Sequence, residues 1–387
     1  MWLKIATEAL SRRLSYFLVE KWLDLDYNYH MKKNVIIPIF IPHFGCNNDC
    51  VFCNQRLITA KGSALSPLEI KSHIETHLTY YEGNHFFKEV GFFGGSFTGI
   101  PKEVQVAYLE VAKDFKDKGL IDEIRLSTRP DYIDESILEY LKDLGVDTIE
   151  LGIQSFDENV LLASKRGHTL RDSFRACTLI KEKGFKLGIQ LMIGLPNDTP
   201  EKSIYSARKA VEFNPEYARI YPTLILENTE LAEMYNNGEF IPFSFEDMLY
   251  TAKEMYKLLE DSGAYILRVG LKSTSLINTN ADMANSYHPA FRQLIEGEIA
   301  KEKILKQLNN LNVFSEGLGE VRELNIGDDM VIVIKSSDKS FSSMIGHKGC
   351  NKKYFASLFL DKKIIYKVDN TIDYGKYVVE LICKGEN

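Results

Sequence analysis

Most of what a membrane-embedded, secreted or nucleic-acid-coating protein needs is missing from this sequence. No stretch approaches the roughly 18 unbroken apolar residues of a membrane span, and the N-terminus carries charges throughout where a signal peptide would have an apolar core. The net charge of −7 excludes indiscriminate binding of nucleic acid over the whole surface, although a local basic patch stays compatible with it. No internal repeat and no low-complexity tract interrupts the chain. Cysteine is scarce, with six in 387 residues, and Cys177, Cys350 and Cys383 each stand alone. A disulfide framework is therefore not expected, nor is a zinc knuckle that draws paired ligands from two loops. What is present is 45% apolar residue, enough to bury a core, in a chain long enough for two or three domains.

The other three cysteines lie within eight residues, Cys46, Cys50 and Cys53, in C-N-N-D-C-V-F-C, with Phe52 before the last. Three thiolates on one tight loop can hold three irons of a [4Fe-4S] cubane whose usual complement is four cysteines, leaving one iron open. An open iron can chelate the amino and carboxylate groups of S-adenosylmethionine and pass it an electron, releasing a 5′-deoxyadenosyl radical. The spacing and the aromatic at Phe52 resemble the radical S-adenosylmethionine (radical SAM) superfamily. The competing assignment for the same residues is a structural zinc, with His43 completing a Cys3His set. Clustered cysteines without disulfides fit a cytoplasmic, reducing setting.

In chain order, residues 1–32 read as a helical extension, with an amphipathic run over 5–25, and Met31 is an alternative start of the native chain. Strands are expected at 35–41, 89–95, 124–128, 148–153, 185–193 and 218–224. Helices are expected at 66–81, 101–118, 134–144, 169–183 and 199–213. Such alternation favours right-handed βαβ units and a parallel sheet. The fold class is α/β: a partial (β/α)6 TIM-type barrel over 33–271, the open form that the resemblance implies, with a small α+β C-terminal domain. Beyond a linker-like stretch at 227–245 come a helix over 245–262, an apolar run at 265–271, a helical connector over 272–318 and a small basic domain over 319–387.

Chemistry in parallel α/β folds sits at the C-terminal strand ends, and the sequence places polar groups at each. Gly94-Gly95-Ser96-Phe97-Thr98 closes the second strand, and glycines there let backbone approach a ligand. The resemblance implies contact with the methionine amino group, Ser96 standing where the superfamily carries an acid. Thr128 and Arg129 end the third strand, and Gln154 and Ser155 the fourth. Their hydroxyl, amide and guanidinium groups suit a ribose or carboxylate. Lys165-Arg166-Gly167-His168-Thr169 precedes the next helix, with Thr169 as N-cap and Arg166 and His168 available to face a substrate cavity. Arg219, at the end of the sixth strand, suits an anionic group.

Four runs narrow the resemblance: T-R-P-D-Y at 128–132, I-E-L-G-I-Q-S at 149–155, K-R-G-H-T at 165–169 and I-Y-P-T-L at 220–224. Together they resemble the radical domain of the Elongator catalytic subunit, a family that modifies the wobble uridine of transfer RNA with acetyl-CoA. Two departures limit the transfer. The first two cysteines are spaced more widely in that family than the x3 here, and only about 115 residues follow Leu271, with no Gly-rich acetyl-CoA loop among them. The acetyl-CoA chemistry is not expected here.

The tail has its own pattern: a strand at 330–335, a short helix at 340–344, Gly346-His347-Lys348-Gly349, a helix at 351–359, and strands at 363–368 and 376–382. A helix, Gly-x-x-Gly, helix order between strands resembles the KH nucleic-acid module, whose loop clamps backbone phosphates. Residues 335–368 hold eight lysines, among them Lys348, Lys352 and Lys353, against two aspartates, a net of +6. The expected function is therefore a radical SAM enzyme with a [4Fe-4S] cluster and S-adenosylmethionine, modifying a transfer RNA base. It would be reduced by a protein such as flavodoxin or ferredoxin and bind RNA through 330–387. The alternatives are a coproporphyrinogen-oxidase-like enzyme gripping a small anionic substrate, and a cluster-bearing or zinc-bearing RNA-binding protein without turnover.

Overall fold

The computed structural model describes residues 34–41, 46, 49–53, 65–83, 86–271, 288–314, 327, 329–360 and 362–384. The helix expected over 5–25, the question of Met31 and the zinc alternative's His43 lie outside them. Strands β1 (Asn34–Ile41), β2 (Phe87–Gly94), β3 (Glu123–Thr128), β4 (Thr148–Gln154), β5 (Lys186–Ile193), β6 (Tyr217–Pro222) and β7 (Tyr265–Val269) form one sheet in sequence order. The pairs β1–β2, β2–β3, β5–β6 and β6–β7 are parallel. Helices return the chain between strands: α1 (Pro67–Thr79), α2 (Lys102–Asp117), α3 (Glu135–Asp143), α4 (Glu158–Ala163), α5 (Leu170–Glu182), α6 (Pro200–Val211), α7 (Glu230–Asn236) and α8 (Phe245–Asp261). A sheet wound in one direction, each strand beside its predecessor, is the partial TIM-type α/β class expected, not a doubly wound one.

Two differences from the expectation are local. The apolar run at 265–271 is a seventh strand, its register against β6 offset by an irregularity between Ala218 and Arg219. The linker-like stretch contains α7, started by Thr229, whose hydroxyl accepts the Ala232 N–H. Seven residues are too few for helical periodicity to stand out.

The chain divides into two compact units, residues 1–47, 59–150 and 179–186 in one and 48–58, 151–178 and 187–387 in the other. In the first, Ile37, Ile39 and Ile41 of β1 and Val90 and Phe92 of β2 are buried, as are Ile70 and Ile74 of α1 and Leu109 and Ala112 of α2. The sequence starts α1 with a capping box: Ser66 Oγ accepts the Glu69 N–H, and the Glu69 carboxylate accepts the Ser66 N–H. Among these apolar side chains lies one buried ion triad. Arg125 donates from Nε to Glu89 at 2.7 Å and from Nη1 to Glu150 at 2.9 Å, all three side chains 1% exposed.

In the second unit Phe156, Phe174 and Phe213 pack edge-to-face and stacked, with ring centroids 5.4–6.1 Å apart. Its C-terminal part begins with the long helix α9 (Phe291–Asn310). Then follow β8 (Met330–Ser336), α10 (Asp338–Ile345), α11 (Cys350–Leu358), β9 (Lys363–Val368) and β10 (Tyr377–Cys383). Here β8 is the central strand, parallel to β9 and antiparallel to β10. Helix α9 serves two neighbours. Arg292 donates to the Ile266 carbonyl of β7 at 3.0 Å, and Glu302 takes ion pairs from Lys253 and Lys257 of α8. Ala300, Ile304 and Leu308 enter the same buried cluster as Ile332, Ile334 and Phe355. Gln307 extends that contact through its amide, which donates to Tyr377 O at 2.6 Å and accepts from Val379 N at 2.9 Å.

Candidate active site at the strand ends

In the first unit the polar groups read from the sequence fall at the ends of β2 and β3. Gly94 has φ +104, and a Cβ there would lie 2.7 Å from the Ile41 carbonyl, so only glycine permits this approach. Gly95 N–H donates to the same carbonyl at 3.1 Å. Cys46 Sγ lies 3.1 Å from Ser96 Oγ, linking the first cysteine to the glycine turn. Thr98 and Thr128 are brought together, their hydroxyls 2.6 Å apart, and Thr98 donates to Tyr132 O at 2.8 Å. Arg129 is 2% exposed, and its fork closes on its own loop, Nε and Nη2 reaching the two Asp131 oxygens at 2.9 and 3.0 Å. Its planar face also lies 5.2 Å from the centroid of the Tyr132 ring.

In the second unit the Cys50-Val51 segment is clamped from two sides. Val51 N–H donates to Ser164 O at the end of α4, and Leu231 N–H at the start of α7 donates to Val51 O. The Val51 side chain is buried with Ile225, Leu231, Ala232 and Phe240, and Phe52 packs against that cluster. Cys53 N–H closes the tight turn on Cys50 O at 2.9 Å. Cys50 is 6% exposed, and its sulfur accepts a hydrogen bond from Arg166 Nη1 at 3.2 Å. Arg166 Nη2 donates to Gly152 O in β4 at 2.6 Å. Arg166, suggested by sequence only as a cavity-facing residue, thus touches the cysteine loop. The single sequence cue was Gly167, which with Lys165 takes positive φ on either side of it.

Gln154, at the end of β4, has φ +70, a strained value for a residue with a Cβ. Its side chain is 9% exposed, and Oε1 is buried without a hydrogen-bond partner. Ser155 is used structurally: its hydroxyl lies 3.3 Å from that of Ser206 in α6 and accepts the Asp157 N–H. Arg219 is 9% exposed and in register with Gln190 of β5. His168 is buried, and Thr169 caps α5 in reciprocal bonds with Asp172.

The tail residues form one further cluster. Gly346, Lys348 and Gly349 have φ of +77, +50 and +75. A Cβ on Gly346 would lie 2.6 Å from Cys350 Sγ and 2.8 Å from Asn351 N. Buried Asn351 donates to Gly297 O at 2.7 Å and Ser343 O at 3.1 Å, fastening the turn to α9. His347 Nδ1 meets Gln293 Oε1 of α9 at 3.0 Å. Lys348, Lys352 and Lys353 are exposed, and among the described residues none of Lys339, Lys348, Lys352, Lys353, Lys363 and Lys367 enters an ion pair.

The geometry stands beside clear similarities to known proteins. Residues 40–208 match the family model of the radical SAM superfamily, and residues 215–301 match that of the radical SAM C-terminal domain. The chain belongs to the radical SAM superfamily, enzymes that use a [4Fe-4S] cluster and S-adenosylmethionine. Within it, the chain is similar to the Elongator group. It is 37% identical over 127 residues to the tRNA uridine(34) acetyltransferase of Methanocaldococcus infernus, covering 32% of this chain and 24% of that protein. To Elongator complex protein 3 of Saccharomyces cerevisiae it is 30% identical over 172 residues, 39% of this chain and 31% of that one. The structure of archaeal Methanocaldococcus infernus Elp3 with an N-terminal deletion matches 72% of this chain and 63% of its own, with a TM-score of 0.50 and 20% identity, a likeness of fold. The chain spans between about a quarter and two fifths of the length of the tRNA uridine(34) acetyltransferases it matches. No helix among the described residues is long and apolar enough to cross a membrane.

Proposed function

We propose that Cys46, Cys50 and Cys53 hold a [4Fe-4S] cluster at which S-adenosylmethionine is reductively cleaved, and that the resulting radical chemistry modifies a base of transfer RNA. The observation that carries this reading is the three-cysteine loop after β1, inside the span matched to the superfamily. The fit is one of donor chemistry: the three cysteines are outside any disulfide, and thiolates are the ligands such clusters take. When bound, the cluster and S-adenosylmethionine supply an electron and a hydrogen-abstracting radical. The chain's own residues bind and orient. Gly94 and Gly95 give close backbone access, and Ser96, Thr98 and Thr128 supply hydroxyls. Gln154 offers an amide oxygen with no hydrogen-bond partner among the described residues. Arg219 suits an anionic part of cofactor or substrate, while Arg129 acts through Asp131 by fixing its loop. A flavodoxin-type or ferredoxin-type protein is the expected electron donor.

Transfer RNA as substrate rests on the names of the relatives and on the tail, a KH-type module in this reading. Its unpaired lysines and the turn at Gly346–Gly349 suit a phosphate backbone. Acetyl transfer is not part of the proposal. Reconstituted protein incubated anaerobically with dithionite and S-adenosylmethionine is expected to release 5′-deoxyadenosine, and a full complement of cluster with none released refutes the enzyme assignment. Lys352→Ala with Lys353→Ala is expected to flatten the salt dependence of transfer RNA binding by about 0.7 per lost phosphate contact, in log K against log salt. Comparing modified nucleosides in cells with and without the protein identifies the base.

A further inference from the structure

Arg166 is held against Cys50 by more than its own side chain. Ser164, two residues before it, accepts the Val51 N–H, one residue after Cys50, so backbone joins the two segments next to the guanidinium–sulfur contact. The turn that presents Arg166 is fixed by its own N–H bond to Leu161 O and by positive φ of +52 at Lys165 and +74 at Gly167. The guanidinium is a fork with one arm on the Gly152 carbonyl at 2.6 Å and the other on the Cys50 sulfur at 3.2 Å, and the residue is 7% exposed. Lysine could reach one of these acceptors but has no planar fork to hold both.

A permanent cation donating a hydrogen bond to a ligating sulfur withdraws electron density from it and favours the more negative, reduced state of the metal centre. Hydrogen bonds to the sulfurs and the charge around them are among the main determinants of iron-sulfur potentials. We infer that Arg166 is a tuning residue: its Nη1–H bond to Cys50 persists in the loaded protein and raises the reduction potential of the cluster, easing electron entry before S-adenosylmethionine is cleaved. This rests on the reading of Cys50 as a cluster ligand.

The test uses the full chain, wild type, Arg166→Gln and Arg166→Lys, each reconstituted anaerobically and assayed for iron and sulfide. Each is then titrated potentiometrically with the reduced cluster followed by electron paramagnetic resonance. At the poise that half-reduces the wild type, Arg166→Gln is expected to show about a tenfold lower ratio of reduced to oxidised cluster, about 59 mV for a one-electron couple, with Arg166→Lys between them. Equal potentials and spectra in all three overturn the inference. If only Arg166→Gln fails to take up cluster, Arg166→Lys decides: a potential below the wild type supports tuning, and an equal one overturns it. Loss of cluster from both variants with unchanged circular dichroism also overturns it, since the arginine would then be needed to hold the cluster. A wild-type protein that takes up no cluster defeats the proposed function instead.

Discussion

Arg125 and Arg166 are both almost wholly buried, yet the surroundings of each make it a different kind of residue. Arg125 sits between the carboxylates of Glu89 and Glu150, inside strand pairs packed with isoleucine, valine and phenylalanine. Arg166 meets a carbonyl and a sulfur, on a turn with two left-handed residues beside a clamped cysteine loop. The charge of the first is met by carboxylates of the protein itself. In the unit that holds the second, Gln154 Oε1 is buried with no partner and its backbone is strained. Backbone strain collects where a ligand is to complete the structure, so the neighbours of a buried charge and the strain beside it, more than the charge itself, tell scaffold from site.

The comparison can be broken most directly at Arg125. Replacing it by Met leaves two buried carboxylates facing each other and is expected to cost about 3–5 kcal/mol of stability, read as a lowered urea midpoint; a midpoint within error of the wild type would mean that Arg125 is not the scaffold charge described. A smaller effect of opposite sense is expected at Gln154. Glycine accepts the positive φ without strain, so Gln154→Gly should leave the apoprotein as stable as the wild type or stabler by up to about 1 kcal/mol. The same change should weaken S-adenosylmethionine binding by the cluster-loaded protein, measured calorimetrically. The smallest signal is a reactivity contrast. Cys177 is fully buried, and burial pushes its thiol well up, away from the reactive thiolate. In native apoprotein treated with iodoacetamide, Cys177 should stay unmodified while exposed Cys350 and Cys383 react; peptide mass mapping reads the outcome.

Six of the seven strands of the large sheet were legible because buried parallel strands are nearly continuous apolar runs, such as the one at 35–41, each followed by a capped helix. The seventh, at 265–269, read only as an apolar run, since no comparable alternation continues past it. Helices α4 and α7 are six and seven residues long, less than the two turns that periodicity needs. At the candidate site the tight turns at Cys50–Cys53 and at Gly94-Gly95 were legible because such turns are local. The Arg125 triad and the Arg166–Cys50 contact were not. Their partners are separated by 25, 36 and 116 residues, and strand order and turn geometry alone bring them together.

Helix α9 touches β7 and α8 through Arg292 and Glu302, and β8, α11 and β10 through Ala300, Ile304, Leu308 and Gln307. The tail therefore cannot be exchanged between proteins as a cassette cut after residue 310. The recipient would have to supply the apolar and amide-bearing face of that helix, or inherit the helix too. The unit of inheritance for a tail of this kind reaches back into the helix before it, so gain or loss of the tail in related chains should be accompanied by changes along one face of a helix that outwardly belongs to the rest of the chain.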